Sequence, residues 1–300
     1  MIRLLLLLFK GQYIIPLEDY KESRRIFNYL ISDKILLCVT IGWLLNQFHV
    51  IQRILGRSLP NDINSYFSYL FIPGHPSRLF VYGVIFVSVG ISILSFVYNS
   101  IILRSGLTFS LLWINHLSWG NGHQPATDIV FLLAHLLSLF LPRKIGEKAD
   151  QSYFYYGIVL FHTGILFTYF LAGFWKLIGL IYKVIASPSA INWIHPDGAL
   201  VNAIVSARSS DISLTVFEGF FQIPAIWQIG FIIAVIFQCF CIIAAFKEKF
   251  QIPLIIGVII FHFINSFVFG TVFILQPLTI AVLFFPYYKL IAYSDKNFND

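Results

Sequence analysis

Charged residues are scarce in this sequence. Asp, Glu, Lys and Arg make up 11% of the 300 residues, whereas hydrophobic residues make up 58%, and the mean hydropathy is +0.81. Soluble globular domains are typically about a quarter charged, so this composition excludes an ordinary soluble domain. The net charge of +6 comes without a basic stripe or an RNA-binding motif, so we expect no nucleic-acid partner.

Cysteine is also rare. The three cysteines, Cys38, Cys239 and Cys241, fall in apolar segments and form neither a disulfide framework nor a zinc-ligand spacing. On a helix, Cys239 and Cys241 would lie about 200° apart, which is unsuited to holding one metal ion. We therefore expect no metal site.

Several common functional motifs are absent from the sequence. It has no glycine-rich phosphate loop, no Walker lysine and no G-x-S-x-G nucleophile motif. It also shows no internal repeat and no pair of broken helices of the kind that marks transporter sites. The Leu-rich segment Met1–Lys10 lacks a small-residue cleavage site and is too short to cross a membrane, which favours an interfacial helix over a cleaved signal peptide.

Long apolar runs are the main feature of the sequence. A bilayer requires about 20 residues per helix, and helices satisfy their backbone polar groups internally in lipid. We therefore predict an all-α, polytopic integral membrane helix bundle with seven to eight transmembrane segments, forming a single domain over residues 1–300. The third, fourth and eighth segments are short. The predicted segments are Ile31–Ile51, Leu79–Ile102, Leu107–Trp119, Ile129–Leu141, Phe154–Ile181, Ile226–Phe246, Pro253–Phe273 and Leu275–Leu290.

The distribution of basic residues predicts the orientation in the membrane. With all eight segments crossing and both termini cytoplasmic, most of the 20 lysines and arginines lie on the cytoplasmic side, as the positive-inside rule requires. A bacterial cytoplasmic membrane fits this arrangement. Lys34 and Arg104 then belong to cytoplasmic flanks, and Lys176 is the one fixed positive charge expected deep inside a span.

Lys176 has two interpretations. A lysine at the bilayer centre costs about 3 kcal/mol on insertion scales, so its ammonium either reaches the interface along its flexible stem or has a function. In the functional interpretation it is an amine held away from water that can serve as a general base. The preceding Ala172-Gly173 step would allow close approach of another helix or of a flat ligand.

Further polar residues are expected near the extracytoplasmic face. The third segment ends in Asn115 and His116, and the loop after it contains His123. A histidine and asparagine cluster at a helix end can orient a substrate, although it can equally be a helix terminus with polar caps. The loop after the fifth segment carries Trp193 and His195. Asp128 is predicted to cap the next helix.

Three histidines are expected in the middle of apolar segments. His135, His162 and His262 lie there, and a lone polar residue in such a helix more often bonds to a neighbouring helix than acts in catalysis. His262 is followed by Asn265 and Ser266, which makes it the best of the three for lining a cavity.

Two strings resemble the signatures of a known family. Trp113–Ser118 and Tyr169–Leu177 resemble those of the horizontally transferred transmembrane (HTTM) family, which includes the vitamin K-dependent γ-carboxylases, and Phe261–Gly270 resembles its closing helices. The resemblance implies that Lys176 is the base that deprotonates a quinol of vitamin K type. The quinol anion would react with O₂ to give the stronger base that permits carboxylation of a glutamyl side chain. It also implies that His116 lies at the same site.

The chain departs from the family pattern at three points. Trp175 stands where the carboxylases have a second lysine, Leu177 and Ile178 stand where an acidic residue follows, and the large substrate-gripping soluble region is missing. Quinone chemistry therefore carries over more readily than glutamate carboxylation. Smaller bacterial relatives of the sporulation-delaying protein B type imply a peptide substrate or a small partner protein.

Two functional hypotheses follow. The first is a membrane-embedded enzyme with Lys176 and His116 as catalytic residues, acting on a lipophilic quinol or a peptide at the extracytoplasmic side. Its substrate- or cofactor-binding residues would be Asn115, His123, Trp175, His262, Trp193 and His195. The alternative is a non-enzymatic membrane component of a peptide export, maturation or immunity system, in which the lipid bilayer and a small protein are the partners.

Overall fold

The regular secondary structure of the protein is helical in all the residues that the structure describes. The computed structural model describes residues 21–55, 77–119, 128–142, 148–186, 195–209, 222–269 and 273–290. Within these ranges the regular structure consists of α-helices and one 3₁₀ turn, without any strand. This confirms the predicted all-α class.

Ten α-helices are defined in the described ranges. Residues 287–290 form a further helical turn, and Glu248–Phe250 is the 3₁₀ turn. The helices are α1 (Lys21–Leu55), α2 (Arg78–Val97), α3 (Ile101–Trp119), α4 (Ile129–Ser138), α5 (Lys148–Ala186), α6 (Pro196–Ser209), α7 (Pro224–Phe240), α8 (Ile243–Phe246), α9 (Gln251–Phe269) and α10 (Leu275–Phe284).

Five helical stretches in the described ranges are long and apolar enough to cross a membrane. They are Glu22–Gln52, Arg78–Val97, Ser152–Ala186, Pro224–Phe246 and Glu248–Ser266. Three shorter apolar helices coincide with the segments predicted to be short: Ile101–Leu117, Ile129–Ser138 and Leu275–Phe284. These helices are compatible with an integral membrane protein, and the count of seven to eight spans stays a prediction.

The outer faces of the spans are apolar. Leu79 and Tyr153 are 83% and 80% exposed, and most side chains of each candidate span lie on the outside. A contiguous apolar surface of this kind promotes association in water. In a bilayer it is the surface that meets the lipid tails.

Two predicted boundaries differ from the structure. Ile101 and Ile102 were assigned to the second segment, but α2 ends at Val97 and residues 98–100 form a break. Tyr98 has extended backbone angles there, and the Asn and Ser that follow favour turns. The last segment was predicted to continue to Leu290, but α10 ends at Phe284, just before Pro286, since the residue before a proline avoids the helical conformation.

The chain divides into two compact units. The first comprises residues 1–161 and 282–300, and the second comprises residues 162–281. The single membrane domain stays a prediction. Each unit is described by itself.

Small polar residues line the interior of the first unit. On α2, Ser88, Ser92 and Ser95 are fully buried at helical spacing. The Ser92 hydroxyl donates to the Leu37 carbonyl oxygen on α1 at 3.3 Å. Serines at a helix contact permit close approach of backbones in a membrane. The inward face of α2 consists of these serines with Val81 and Ile85, and most of its other apolar side chains are exposed.

A buried ion pair joins α1 and α3. Arg104 is 1% exposed, and its Nη2 donates to Asp33 Oδ2. Next to Asp33, the Lys34 ammonium donates to the carbonyl oxygens of Ser95 and Phe96 in the last turn of α2. Arg104, expected between the second and third segments, thus lies inside α3, and its position on the cytoplasmic side stays a prediction. The expectation that Lys176 is the one basic residue inside a span is wrong, because Lys34 lies within the candidate span Glu22–Gln52. A carboxylate on the neighbouring helix compensates the Arg104 charge.

A histidine forms a second polar contact in this unit. His135 on α4 is 1% exposed, and its Nε2 lies 2.9 Å from the Thr40 hydroxyl on α1. Because the single Thr40 hydroxyl hydrogen is donated to the Leu36 carbonyl at 2.7 Å, Thr40 accepts from His135, whose Nε2 carries the proton. His135 is thus a helix-linking residue.

We predict that Asp33→Ala destabilises the protein by about 3–5 kcal/mol, because removal of one partner leaves the Arg104 charge buried and unpaired. The free energy of unfolding of the purified protein in mixed micelles measures this loss. Ser105→Ala, at an exposed position one residue beyond Arg104, is the control and should change stability by less than about 0.5 kcal/mol. Equal stability of Asp33→Ala and wild type would contradict the role of the pair.

Candidate functional site

One face of α5 carries the candidate site in the second unit. Tyr169, Gly173 and Lys176 follow one another at intervals of four and three residues, so they lie above one another on a single helix face. Tyr169 and Gly173 are buried and Lys176 is partly buried. This face is turned toward other helices of the second unit.

Gly173 permits a very close approach of α7. A methyl group placed on Gly173 would lie 2.7 Å from Gln238 Cβ and 3.0 Å from the Cys239 backbone nitrogen. No other amino acid fits there without a shift of one helix. Of the two occupants expected beside the Ala172-Gly173 step, the structure shows a helix.

The close approach brings the Lys176 amine to a buried amide. Lys176 Nζ donates to Gln238 Oε1 at 2.8 Å, and Gln238 is 3% exposed. Among the described residues, no carboxylate forms an ion pair with Lys176. The partner of this amine is therefore a neutral acceptor on a different helix.

A tyrosine and a histidine form a second contact on the same face of α5. The Tyr169 hydroxyl lies 2.7 Å from Nε2 of His262 on α9, and both side chains are buried. The His262 Nδ1 atom is buried without a hydrogen-bond partner in the described chain. The ring of Phe273 packs against His262 with centroids 5.0 Å apart. His262 thus keeps one ring nitrogen available beside an aromatic surface.

Two cysteines follow Gln238, Cys239 inside α7 and Cys241 directly after its end. The Cys241 thiol donates to the Gln238 carbonyl oxygen at 3.1 Å and contacts the Leu166 carbonyl at 3.7 Å. The Cys239 sulfur borders Gly173. In the described ranges no group of three metal-ligating side chains occurs.

The predicted partner of Lys176 lies in the other unit. His116 and Asn115 are near the end of α3, where Asn115 is buried and His116 partly buried. Because Lys176 belongs to the second unit and His116 to the first, their pairing stays a prediction. His123 and Trp193 lie outside the described residues.

The other predicted residues occupy varied positions. Trp175 is 66% exposed, on a different face of α5 from Lys176. His195 precedes α6, and its Nδ1 accepts from the Asp197 backbone nitrogen at 3.3 Å, in an exposed turn. Asp128 stands at the N-cap of α4 but makes no capping hydrogen bond through its side chain. The buried His162 begins the second unit.

Sequence reasoning missed Gln238 and the role of Tyr169. Gln238 is a lone amide in the apolar string Ile236-Phe237-Gln238-Cys239-Phe240. An amide in such a setting requires a hydrogen-bond partner on another helix. That signal could have singled it out, but it could not have named Lys176 as the partner.

Comparisons with known proteins yield no family assignment. No family model matches the chain, and neither a curated protein nor a solved structure matches it. The resemblance to the HTTM family therefore stays a prediction.

We predict that Gly173→Ala destabilises the protein by about 1–3 kcal/mol, since the added methyl group overpacks the contact between α5 and α7. Gly179→Ala is the matched control on the same helix, because a methyl group there meets no atom within 4 Å, and it should be neutral or stabilise by up to about 1 kcal/mol. Unfolding in mixed micelles measures both variants. Equal effects of the two substitutions would contradict the close helix approach at Gly173.

Proposed function

We propose that the protein is a membrane-embedded enzyme in which Lys176 acts as a base on a lipophilic quinol or on a peptide. The observation that carries the proposal is the hydrogen bond from Lys176 Nζ to Gln238 Oε1 at 2.8 Å, made without a carboxylate partner among the described residues. Charged side chains in a membrane bundle usually pair with one another or with backbone carbonyl groups. Arg104 pairs with Asp33 and Lys34 bonds to two backbone carbonyl oxygens, whereas the described partner of Lys176 is a side-chain amide.

The amide partner suits a catalytic amine. A carboxamide oxygen accepts a hydrogen bond from an ammonium or from a neutral amine. Gln238 therefore fixes the position of the nitrogen without adding a negative charge that would hold the proton on it. A general base needs such positioning within hydrogen-bond reach of the proton that it removes.

The proposed substrate classes rest on the HTTM resemblance together with the apolar surroundings. Lys176 stands in a span whose neighbouring side chains are apolar or aromatic, such as Phe174 and Leu177. A quinol of vitamin K type has an apolar tail and an acidic hydroxyl group, so it can reach an amine from the lipid phase. The roles of His116 and Asn115 stay predictions from the resemblance, and within the second unit His262 is proposed to line the site.

A second candidate is a non-enzymatic membrane component of a peptide export, maturation or immunity system. The same hydrogen bond favours it, because the contact between Lys176 and Gln238 also ties α5 to α7. In this candidate the amine contributes to stability alone. Loss of the amine would then change folding without removing any chemistry.

We predict that Lys176→Met, in purified protein reconstituted into lipid nanodiscs, lowers quinol-dependent oxygen uptake and quinone epoxide formation by about 100-fold or more, because it removes the base. Reduced phylloquinone and menaquinone are the probes. Gln238→Leu, which frees the amine from its position, should lower the rate by roughly 10-fold to 100-fold.

Lys183→Met on the exposed end of α5 is the control and should retain full activity. Thermal unfolding of each variant verifies that it is folded. No oxygen uptake by wild type would reject the quinol substrate. Undiminished turnover by folded Lys176→Met would reject the lysine as the base. Absence of turnover by wild type, together with a co-purifying small protein, would favour the non-enzymatic candidate.

The proposed site also requires a particular orientation of the chain in the membrane. We propose seven to eight spans in a bacterial cytoplasmic membrane, with both termini cytoplasmic and the site opening to the extracytoplasmic side, as the basic residues suggest. Green fluorescent protein fused after Asp300 should fluoresce. Alkaline phosphatase inserted within residues 187–194 should be active, and fused after Asp300 it should be inactive. The reverse pattern would reject this orientation.

A further inference from the structure

The charges around Asp33 do not balance. Asp33 carries one negative charge, whereas Lys34 and Arg104 carry two positive charges, and all three act on one another electrostatically. The Lys34 ammonium is bonded to carbonyl oxygens in the last turn of α2, which carry only the partial negative charge of a helix C-terminus and no formal charge. The cluster of these three residues, named here the Arg104 cluster, therefore has an excess of one positive charge.

Two nitrogens of the Arg104 guanidinium have no hydrogen-bond acceptor in the described chain. Its Nη2 bonds to Asp33, whereas Nε and Nη1 are buried and bond to no atom in the described chain. Leaving a buried donor without an acceptor costs stability, and the cost is greater for a charged group. Two free donors on a planar cation match the oxygens of a phosphate group or a carboxylate.

The start of α3 adds to the positive potential. Arg104 lies in the first turn of α3, and that turn contains no acidic residue. The first N–H groups of a helix lack partners within the helix and bear a partial positive charge. The helix terminus and the guanidinium therefore both attract an anion.

The cluster lies at the depth of the lipid headgroups. α2 is 20 residues long, about 30 Å, which equals the thickness of the hydrocarbon core. Lys34 bonds to the carbonyl groups of Ser95 and Phe96, which belong to the last turn before α2 ends at Val97. If α2 crosses the membrane, its end and the Arg104 cluster lie at the boundary between tails and headgroups.

We infer that the first unit contains a binding site for a phosphate-type monoanion, in which the free donors of Arg104 bind the oxygens and the anion compensates the excess charge of the Arg104 cluster. Either an anionic phospholipid headgroup or free phosphate supplies this chemistry. The site is independent of the Lys176 chemistry, because Asp33, Lys34 and Arg104 take no part in the proposed reaction.

The test measures the unfolding temperature of the full-length protein with two probes. The first compares nanodiscs of phosphatidylglycerol with nanodiscs of phosphatidylcholine. The second compares inorganic phosphate with chloride at equal ionic strength in a neutral maltoside detergent. Binding to the folded state alone raises Tm, and we expect a rise of roughly 3 °C or more with at least one probe. A rise with phosphatidylglycerol alone identifies the headgroup as the source, and a rise with inorganic phosphate identifies the free anion.

The variant Asp33→Asn with Arg104→Gln removes the site without changing the net charge of the protein. It should lose the rise in Tm, whereas Lys247→Gln, which removes an exposed charge, should retain it. If the double variant does not fold, Arg104→Lys replaces it and should lose at least half of the rise, because an ammonium cannot present the planar donors. No rise in wild type with either probe, or an undiminished rise in the double variant or in Arg104→Lys, overturns the inference.

Discussion

A hydrogen-bonding side chain inside an apolar helix must find its partner on another helix, and this constraint organises both units. Lipid tails offer no donors or acceptors, so each such side chain fixes a contact between two particular helices. The Asp33–Arg104 pair joins α1 to α3, and the Lys176–Gln238 contact joins α5 to α7. The polar residues thus specify which helices pack together, while the numerous phenylalanines and leucines fill the contacts and cover the outside.

Arg104 and Lys176 obtain their hydrogen-bond partners in different ways. Arg104 faces a carboxylate, which compensates its charge and favours a permanently charged group. Lys176 faces an amide, which accepts a hydrogen bond but compensates no charge. The difference is chemical as well as structural, because an arginine does not give up its proton in proteins whereas a lysine can. An amide partner is therefore compatible with an amine that changes its protonation state during a reaction.

The fold class followed from composition, and each predicted apolar segment overlaps a helix, because length and hydropathy determine where a chain can be helical in lipid. The turn at residues 98–100 was missed, since Tyr, Asn and Ser interrupt the apolar run only briefly. Arg104 was placed outside the helices because a basic residue near a turn resembles a cytoplasmic flank. Lys176 was identified from its isolation, but Gln238 was not, because 62 residues separate the two and sequence spacing does not give the rotational register of two helices.

The face of α5 that carries the site depends on Gly173. Tyr169 and Lys176 stand on either side of it, and each reaches a different helix, α9 through His262 and α7 through Gln238. The backbones of α5 and α7 come close at Gly173 because it has no side chain, and one turn further along α5 Lys176 meets Gln238 at 2.8 Å. The Trp175 side chain lies on the exposed side of α5, because successive side chains on an α-helix point about 100° apart. A lysine at position 175 would therefore point away from Gln238, and among the described residues Lys176 is the amine that meets Gln238.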